Sequence, residues 1–339
     1  MFIKGDYWMD YADTLRTRRQ FLLAGLGVSL SAIANCEEPY PNRPIKIIVP
    51  VPAGGGADNV ARSFALHMSK VLNQQIVIEN RAGAAGIIAM DTLAKSAPDG
   101  YTLIQTNVST ISINPSIYNK LPYDSLRDFL PISLTSLGPM LLVINPKIPA
   151  RSIKELIHYA KNKPGGLSYG SLGNGSIQHL AGYMLGKEAG IQTLHTPYKG
   201  AAPVAVDLLS GVIDMAFSGT GTVAGHLKAG RLIALGQTTV TRSSFFPSIP
   251  TFTEEGFKKM EFVLWNGLLA PTGTPSYIIQ HLSNVTREVS KSTELMNLFA
   301  ASTTNIASNT PEEFLQLIKK EQQIYSAIVK ESGIKSEMI

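Results

Sequence analysis

Residues Ile45 to Leu72 read IKIIVPVPAGGGADNVARSFALHMSKVL, and this stretch decides the fold. Its first five residues are rich in β-branched side chains, which predicts a short buried strand. A turn containing three consecutive glycines follows, and beyond it apolar residues recur at helical spacing. A strand, a glycine turn and a helix in this order aim backbone N–H groups and a helix N-terminus at an anion. We therefore expect the turn to form one side of a binding cleft for a small anion.

The alternation of strands and helices continues along the chain. Strands are predicted at Ile76–Glu79 and Tyr101–Gln105, with a helix at Ile87–Lys95 between them. This βαβαβ order predicts a parallel sheet covered on both faces, which binds ligands at the carboxyl ends of its strands. A second series is predicted further on, with strands at Met140–Ile144, Leu167–Gly170, Thr193–Thr196, Val212–Phe217 and Leu232–Gln237, and helices at Ile177–Ala189, Ala201–Leu209 and Thr222–Ala229.

A second polar, glycine-rich turn, Ser171–Ser176, lies between a strand and a helix of the second series. Ser176 is a candidate N-cap for that helix. If the two glycine-rich turns face each other, an anion between them meets backbone donors from both sides. Fixed N–H dipoles hold a carboxylate without burying a cationic side chain at a high desolvation cost.

Polar residues before three other apolar stretches predict helix starts. Ser152 and Glu155 have the spacing of a capping box. Thr274-Pro275 and Thr310-Pro311 each place an N-cap residue before a first-turn proline.

The first 36 residues have the features of an export signal. Arg16, Arg18 and Arg19 precede the apolar stretch Phe21–Ala34, which ends in a small-x-small cleavage pattern. This stretch of about 14 residues is shorter than the roughly 20 that a membrane span needs. The arginines fit either a twin-arginine signal or an ordinary secretory signal. Cys36 is a candidate for lipidation, but Asn35 is unusual before a lipidated cysteine, so we expect a periplasmic protein that is not anchored.

Composition excludes several classes of protein. With 44% hydrophobic and 16% charged residues, the chain is expected to fold as a globular protein. The net charge of +5 is spread along the chain, so no nucleic-acid partner is expected. One cysteine and six histidines without a His-x-x-x-His pair predict no disulfide framework and no metal site.

Ordered motifs give the chain a resemblance to a known family. They are Tyr40-Pro41-x-Arg43-Pro44-Ile45, Pro50-x-Pro52-x-Gly54-Gly55 with Asp58, Val77-x-Glu79-Asn80-Arg81-x-Gly83-Ala84, Ala97-Pro98-Asp99-Gly100-Tyr101-Thr102-Leu103, Ile113-Asn114-Pro115, Leu121-Pro122-Tyr123-Asp124, Ser171-x-Gly173-Asn174-Gly175-Ser176-x-Gln178-His179, Pro197-Tyr198-Lys199-Gly200 and Gly267-Leu268-Leu269-Ala270-Pro271. This set resembles the Bug (TctC-like) substrate-binding proteins of tripartite tricarboxylate transporters. The resemblance runs from Tyr40 nearly to the C-terminus.

The resemblance implies a two-lobed periplasmic-binding-protein fold of type II, with two doubly wound α/β domains joined by crossing hinge strands. We expect one lobe at residues 40–137 plus 264–339 and the other at 138–263, closing about crossing strands near Ser136 and Leu264. The implied function is capture of a small carboxylate, such as a di- or tricarboxylate, and its delivery to membrane permease subunits. No catalysis and no cofactor are implied, and a monomer is expected.

The resemblance and the individual turns together give a set of candidate ligand-binding residues. These are Pro52, Ala53, Gly54, Gly55 and Asp58 in the first turn, Asn107, Ser109 and Thr110 after the third strand, Ser171, Gly173, Asn174, Gly175, Ser176 and His179 in the second glycine-rich turn and its helix, and Tyr198 and Ser218. The chain departs from the common family pattern at Asn107–Ser109, at Ser218, where Asp is frequent, and at Asn266, where aromatic residues are frequent. The resemblance therefore implies a family-like carboxylate anchor with an altered remainder of the pocket.

Several residues also have an ordinary structural explanation. Asp58 is either a ligand contact or a helix N-cap, and His179 either faces the cleft or lies in the core. The polar residues of the other turns bind a carboxylate or only stabilise the turns. Lys199 attracts anions or is a solvated surface residue, and Trp265 is a pocket wall or a buried hinge aromatic.

The sequence also bears on two other functions. Gly219–Gly225 resembles a dinucleotide-binding loop, but its spacing is Gly-x-Gly-x-x-x-Gly and no acidic residue follows about 20 positions on. An enzyme of that kind is therefore disfavoured. The alternative that a liganded form docks on a signalling receptor uses the same closed state as transport, so the sequence does not separate the two.

Overall fold

A mixed sheet of ten strands organises the computed structural model, which describes residues 40–335. The predicted export signal and Cys36 lie outside the described residues. In the described part, no helix has the length and apolar character that crossing a membrane requires.

The described elements alternate as the sequence predicts. The strands are β1 Ile45–Val49, β2 Ile76–Asn80, β3 Thr102–Asn107, β4 Phe129–Ile144, β5 Leu167–Ser171, β6 Thr193–Pro197, β7 Met215–Gly219, β8 Ile233–Gln237, β9 Val263–Pro271 and β10 Asn305–Ile306. The helices are α1 Gly56–Leu72, α2 Ile87–Ala94, α3 Asn114–Ile117, α4 Ile153–Asn162, α5 Ile177–Ala189, α6 Ala201–Ser210, α7 Thr220–Lys228, α8 Ser276–Val289, α9 Thr293–Ala301 and α10 Pro311–Ser332.

The sheet order is β2-β1-β3-β9-β4-β7-β5-β6, and β4 also pairs with β8 and β10. The predicted parallel unit is confirmed, because β1 pairs in parallel with both β2 and β3. The whole sheet is mixed, however: β9 is antiparallel to β3 and β4, and β4 is antiparallel to β7 and β8. We call β2-β1-β3-β9 with β10 the first half and β7-β5-β6 with β8 the second half.

Strand β4 is shared by both halves and is much longer than predicted. Its first part pairs with β9, and its last residues, Met140–Ile144, pair with β7 and β8. The prediction recovered only Met140–Ile144, because Pro131, Gly138 and Pro139 are typical strand breakers. Pro131 lies at a shift in the register with β9, between Pro131 and Ser133, and Gly138 and Pro139 lie at the point where β4 exchanges β9 for β7 as its partner.

Two other predicted boundaries were wrong. The predicted strand at Val212–Phe217 begins only at Met215, because the backbone N–H groups of Val212 and Ile213 bond back to the Asp207 carbonyl at the end of α6. Thr274 is not the N-cap of α8, because its hydroxyl donates to the Pro271 carbonyl and Pro275 occupies the cap position.

The other predicted caps form. Ser176 accepts from the backbone N–H of His179, and Thr310 with Glu313 makes a complete capping box. At α4, Ser152 caps the helix, but the Glu155 carboxylate accepts from the Arg151 N–H, so the reciprocal half of the predicted box is displaced by one residue.

Candidate ligand-binding cleft

The carboxyl ends of parallel strands from both halves converge on one segment of β4. Asn107 at the end of β3 pairs with Asn266 of β9, which pairs with Ser136 of β4. Gly219 at the end of β7 pairs with Met140 of β4. Because β3 runs in the direction of β4 and β7 runs against it, the two strand ends point toward each other. Four extended residues span about 13 Å, which is the scale of the gap between the pairing positions.

The first glycine turn is shaped by Asp58, which is 1% exposed. Its carboxylate accepts hydrogen bonds from the Gly54 N–H at 2.9 Å, from Arg62 Nε at 2.9 Å and from Asn80 Nδ2 at 2.8 Å. Burial raises the pKa of Asp58, but these three hydrogen bonds outweigh it and lower the pKa below its ordinary value. Asp58 is the third residue of α1 and not its N-cap, which is Gly55, so the N-cap alternative is wrong.

The N-terminus of α1 has no side-chain cap. Within residues 40–335, the N–H groups of Gly55, Gly56 and Ala57 have no hydrogen-bond acceptor. Pro52, Ala53, Gly54 and Gly56 are exposed at this turn, and Gly55 is partly buried. The turn therefore presents backbone donors at the positive end of a 17-residue helix.

The turn after β3 is held by its own side chains. Asn107 Oδ1 accepts from the N–H groups of Ser109 and Thr110 at 2.9 and 3.2 Å. The Thr110 hydroxyl is buried and bonds to Thr106 Oγ1 at 2.7 Å and to the Asn107 carbonyl at 2.9 Å. Ser109 is partly exposed, and its hydroxyl makes no hydrogen bond to another residue of the described chain. Of the three predicted residues, Ser109 keeps its hydroxyl available and Asn107 keeps its Nδ2 amide group, whereas the Thr110 hydroxyl is fully engaged.

The second glycine-rich turn is also tied together internally. The Ser171 hydroxyl, 1% exposed, lies 3.0 Å from the Gly173 carbonyl, 3.1 Å from the Gly173 N–H nitrogen and 2.6 Å from His195 Nε2. The Ser176 hydroxyl donates to the same Gly173 carbonyl at 2.8 Å. Gly173 and Gly175 have φ of 122° and 75°, which glycine adopts without strain. Asn174 is exposed at the tip of the turn.

Two stacked histidines lie beneath this turn. The rings of His179 and His195 are 3.6 Å apart and 8° from parallel. His179 Nδ1 accepts the Gly175 N–H at 3.2 Å, and an N–H can only donate, so this nitrogen is unprotonated. The pKa of each histidine is lowered to about 4, mainly by burial, and the proximity of His195 contributes to the shift of His179. His195 was not predicted, because only the pairing of β5 with β6 brings it beside Ser171.

Acid is expected to destabilise the fold through these histidines. Their pKa is about 6.5 when unfolded and about 4 when folded, so the unfolded state binds more protons between these values. The part of the free energy of unfolding that depends on these histidines is fully present above about pH 6.5. It is lost as the pH falls toward 4, with a slope of at most about 1.4 kcal/mol per pH unit for each histidine. Urea unfolding at a series of pH values measures this slope. His195→Gln should flatten it, whereas a variant with the wild-type slope would contradict the assignment. The exposed His158→Gln serves as the control.

The remaining predicted residues lie around the same edge of the second half. The Tyr198 hydroxyl donates to Asp207 at 2.7 Å, and its ring lies against Gly170. Ser218 is partly buried near the end of β7, and its hydroxyl bonds to no other residue among 40–335. Helix α7 follows directly and has no side-chain cap. Lys199 is exposed, and Trp265 is buried within β9.

Contacts join the two halves beside the converging strand ends. A Cβ built on Gly175 would lie 2.8 Å from the Ile117 side chain of α3. The Thr220 hydroxyl, at the start of α7, donates to the Thr303 carbonyl between α9 and β10 at 2.6 Å. These contacts bring the glycine-rich turn of the second half against the first half.

A surface depression of about 490 Å³ lies elsewhere, on α4. It is lined by Pro149, Lys154, Glu155, His158, Tyr159 and Asn162. Helix α4 follows the end of β4 that is remote from Ser136–Met140, and no predicted site residue lines this depression. It is therefore separate from the converging strand ends.

Comparison with known proteins agrees with this architecture. A family model described as "Tripartite tricarboxylate transporter family receptor" matches residues 60–334. Protein BugT of Bordetella pertussis is 36% identical over 92% of this chain and 94% of its own length. The R. palustris protein Rpa4515, solved with adipate, is 29% identical with a TM-score of 0.82, covering 87% of this chain and 99% of its own. MatC of Rhodopseudomonas palustris, solved with bound malate, is 27% identical with a TM-score of 0.78, covering 86% and 100%.

These similarities confirm the two-lobed α/β fold of periplasmic binding proteins and place the chain among solute-binding receptors, not enzymes. The chain belongs to the tripartite tricarboxylate transporter receptor family, the Bug (TctC-like) binding proteins.

Proposed function

We propose that this protein captures a small carboxylate between the two glycine-rich turns and delivers it to the permease subunits of a tripartite tricarboxylate transporter in the periplasm. The observation that carries the proposal is the uncapped N-terminus of α1, which lies at the strand edge that faces the second half. Adipate and malate in two structural neighbours support a carboxylate as the ligand.

Backbone amides are proposed to bind the anion, and most polar side chains to shape the turns. The amides of Gly55, Gly56 and Ala57 supply donors from the first half. Ser109, Asn174 and Ser218, whose side chains bond to no other described residue, are proposed to contact the ligand directly. Those already bonded within the turns position the donors: Asp58, Asn107, Thr110, Ser171, Ser176, His179 and Tyr198.

The amide donors explain how an anion binds without a buried cation. Arg62, a basic residue beside the first turn, is already paired with Asp58 at 2.9 Å. A dipole fixed by the backbone keeps its orientation when the ligand leaves. Reorganisation of the protein on ligand binding therefore costs little free energy.

The lobes are proposed to close about β4 and β9. Residues 40–137 with 264–339 form one lobe in this proposal, and residues 138–263 form the other. Both boundaries then fall close to the point where β4 changes partner from β9 to β7: Gly138 and Pro139 still pair with Leu264 and Val263, and Met140 is the first residue that pairs with β7. Closure about such strands is a hinge motion, which needs changes in few backbone angles.

Thermal or urea unfolding with a panel of ligands tests the function. Malate, succinate, adipate or citrate at 100 times its dissociation constant should raise the free energy of unfolding by about 2.7 kcal/mol. NAD serves as the matched control and should have no effect. Stabilisation by NAD, with none by any carboxylate, would contradict the proposal.

A further inference from the structure

A buried carboxylate lies behind the turn that follows β3. Glu321 of α10 is 7% exposed. Both of its oxygens lie 2.9 Å from the indole Nε1 of Trp265 in β9, and one accepts from the Ser112 hydroxyl at 3.0 Å. The neighbouring Gln322 donates to the Ile111 carbonyl at 2.9 Å. Through Glu321 and Gln322, helix α10 therefore bonds both to β9 and to the Asn107–Ile113 turn.

Among the residues that the structure describes, Glu321 has no cationic partner. Within residues 40–335, no Lys, Arg or His side chain lies within 4.0 Å of its carboxylate. Four elements packed around α10 carry no ionisable side chain at all: the turn at Ser109–Ile113, α3, β4 and β9. Helices α5 and α8 also contact α10, and two loops adjoin it. Their ionisable groups are His179, Tyr183, Lys187 and Glu188 on α5, Tyr277, His281, Arg287 and Glu288 on α8, and Tyr118 and Glu261 in the loops. Helix α10 itself carries Glu312, Glu313, Lys319, Lys320, Tyr325, Lys330 and Glu331.

Two of these groups, Lys320 and Tyr325, interact electrostatically with Glu321. The positive charge of Lys320 favours its ionised form, and buried Tyr325 lies one turn further along the helix. Lys187 pairs with Glu331 near the end of α10, well away from Glu321 in the helix. Burial raises the pKa of Glu321 to about 7, although the hydrogen bonds from Trp265 and Ser112 lower it. Its charged and neutral forms are therefore closely balanced at neutral pH.

We propose that Glu321 takes up a proton from solvent when an anion enters the cleft, so that anion capture is coupled to neutralisation of this buried carboxylate. The coupling rests on the proposed function, because it requires an anion beside the Asn107–Ile113 turn. An anion bound on one side of that turn repels the ionised carboxylate of Glu321 on the other side, where buried surroundings screen charges weakly. This repulsion favours the neutral form of Glu321. Neutral Glu321 keeps its place, since one oxygen accepts from Trp265 and its new O–H donates to Ser112 Oγ.

Proton uptake can be measured by calorimetry with malate and adipate as probes. Titrations at about pH 7.5 in Tris and in triethanolamine, cationic buffers of different ionisation enthalpy, give the number of protons bound with the ligand. We expect a fraction of a proton for the wild type and none for the isosteric Glu321→Gln. The dissociation constant of the wild type should rise about three- to tenfold from pH 6.5 to 8.5, and that of Glu321→Gln should stay constant. Glu312→Gln, an exposed change on the same helix, should behave as wild type.

The outcomes separate the two proposals. Equal proton uptake by the wild type and Glu321→Gln contradicts the coupling while leaving carboxylate binding intact. Failure of the wild type to bind either probe contradicts the proposed function and removes the coupling with it. A second measurement needs no ligand: the indole NMR signal of Trp265, assigned with Trp265→Phe, should titrate near neutral pH and lose this titration in Glu321→Gln. A signal that stays fixed from about pH 5.5 to 8.5 contradicts the role of Glu321.

Discussion

Replacing Gly56 with proline is expected to weaken carboxylate binding by about ten- to a hundredfold, because a charge-assisted hydrogen bond contributes roughly 1.5–3 kcal/mol. Proline removes the Gly56 N–H and changes little else. Gly56 is the first residue of α1, where proline is well accepted, and Gly55 before it is extended, with φ of −75° and ψ of 165°. Calorimetric titration with malate or adipate measures the loss.

Gly56→Ala is the matched control for this substitution. A Cβ at Gly56 has no atom within 4 Å, so alanine fits and keeps the N–H group. It should bind as tightly as the wild type. Equal binding by both variants would show that this amide does not hold the ligand. Equal weakening would show that the backbone of the turn, and not its donor, was disturbed.

Gly175→Ala is expected to weaken binding at least tenfold through a different effect. The new methyl group would lie 2.8 and 2.9 Å from Cγ1 and Cγ2 of Ile117, across the rim of the cleft. Relieving this overlap separates the second glycine-rich turn from α3 and opposes closure. The positive φ of 75° adds strain of about 1–2 kcal/mol to any residue with a side chain.

Gly165→Ala separates the steric effect from the backbone strain. Gly165 has nearly the same φ, 79°, but a Cβ there has no atom within 4 Å. It should lose similar stability in urea unfolding without losing affinity. Adding Ile117→Ala to Gly175→Ala should restore much of the binding, because it empties the space that the methyl group needs. If Gly165→Ala weakens binding as much as Gly175→Ala does, contact across the cleft is not the cause.

The order of the elements and both glycine-rich turns could be predicted because they depend on local patterns. Strand Ile45–Val49 and helix Ile177–Ala189 have the predicted bounds, since β-branched runs and capped apolar stretches encode them directly. The full length of β4 could not be predicted. Its prolines stop a strand in isolation, and long pairing with β9 overrides that local signal.

The candidate site was predictable by position but not by chemistry. Polar residues at strand ends predict turns that the fold does bring to one edge of the sheet, yet the sequence does not say whether a side chain points away from its turn or into it. Asp58 and Thr110 are buried and bonded to their own turns, which only tertiary packing decides. His195 and Glu321 were missed because their partners are distant in sequence: 24 residues separate His195 from Ser171, and 209 separate Glu321 from Ser112.

A crystal structure of the protein with malate or adipate bound tests most directly whether main-chain amides bind the anion. The deciding quantity is the distance from each carboxylate oxygen to the nearest backbone nitrogen. We expect one oxygen within about 2.7–3.1 Å of the Gly56 nitrogen and the ligand enclosed by the Ser171–Ser176 turn. A ligand held by lysine or arginine side chains, or seated in the depression on α4, with no oxygen near either glycine-rich turn, would contradict the proposal.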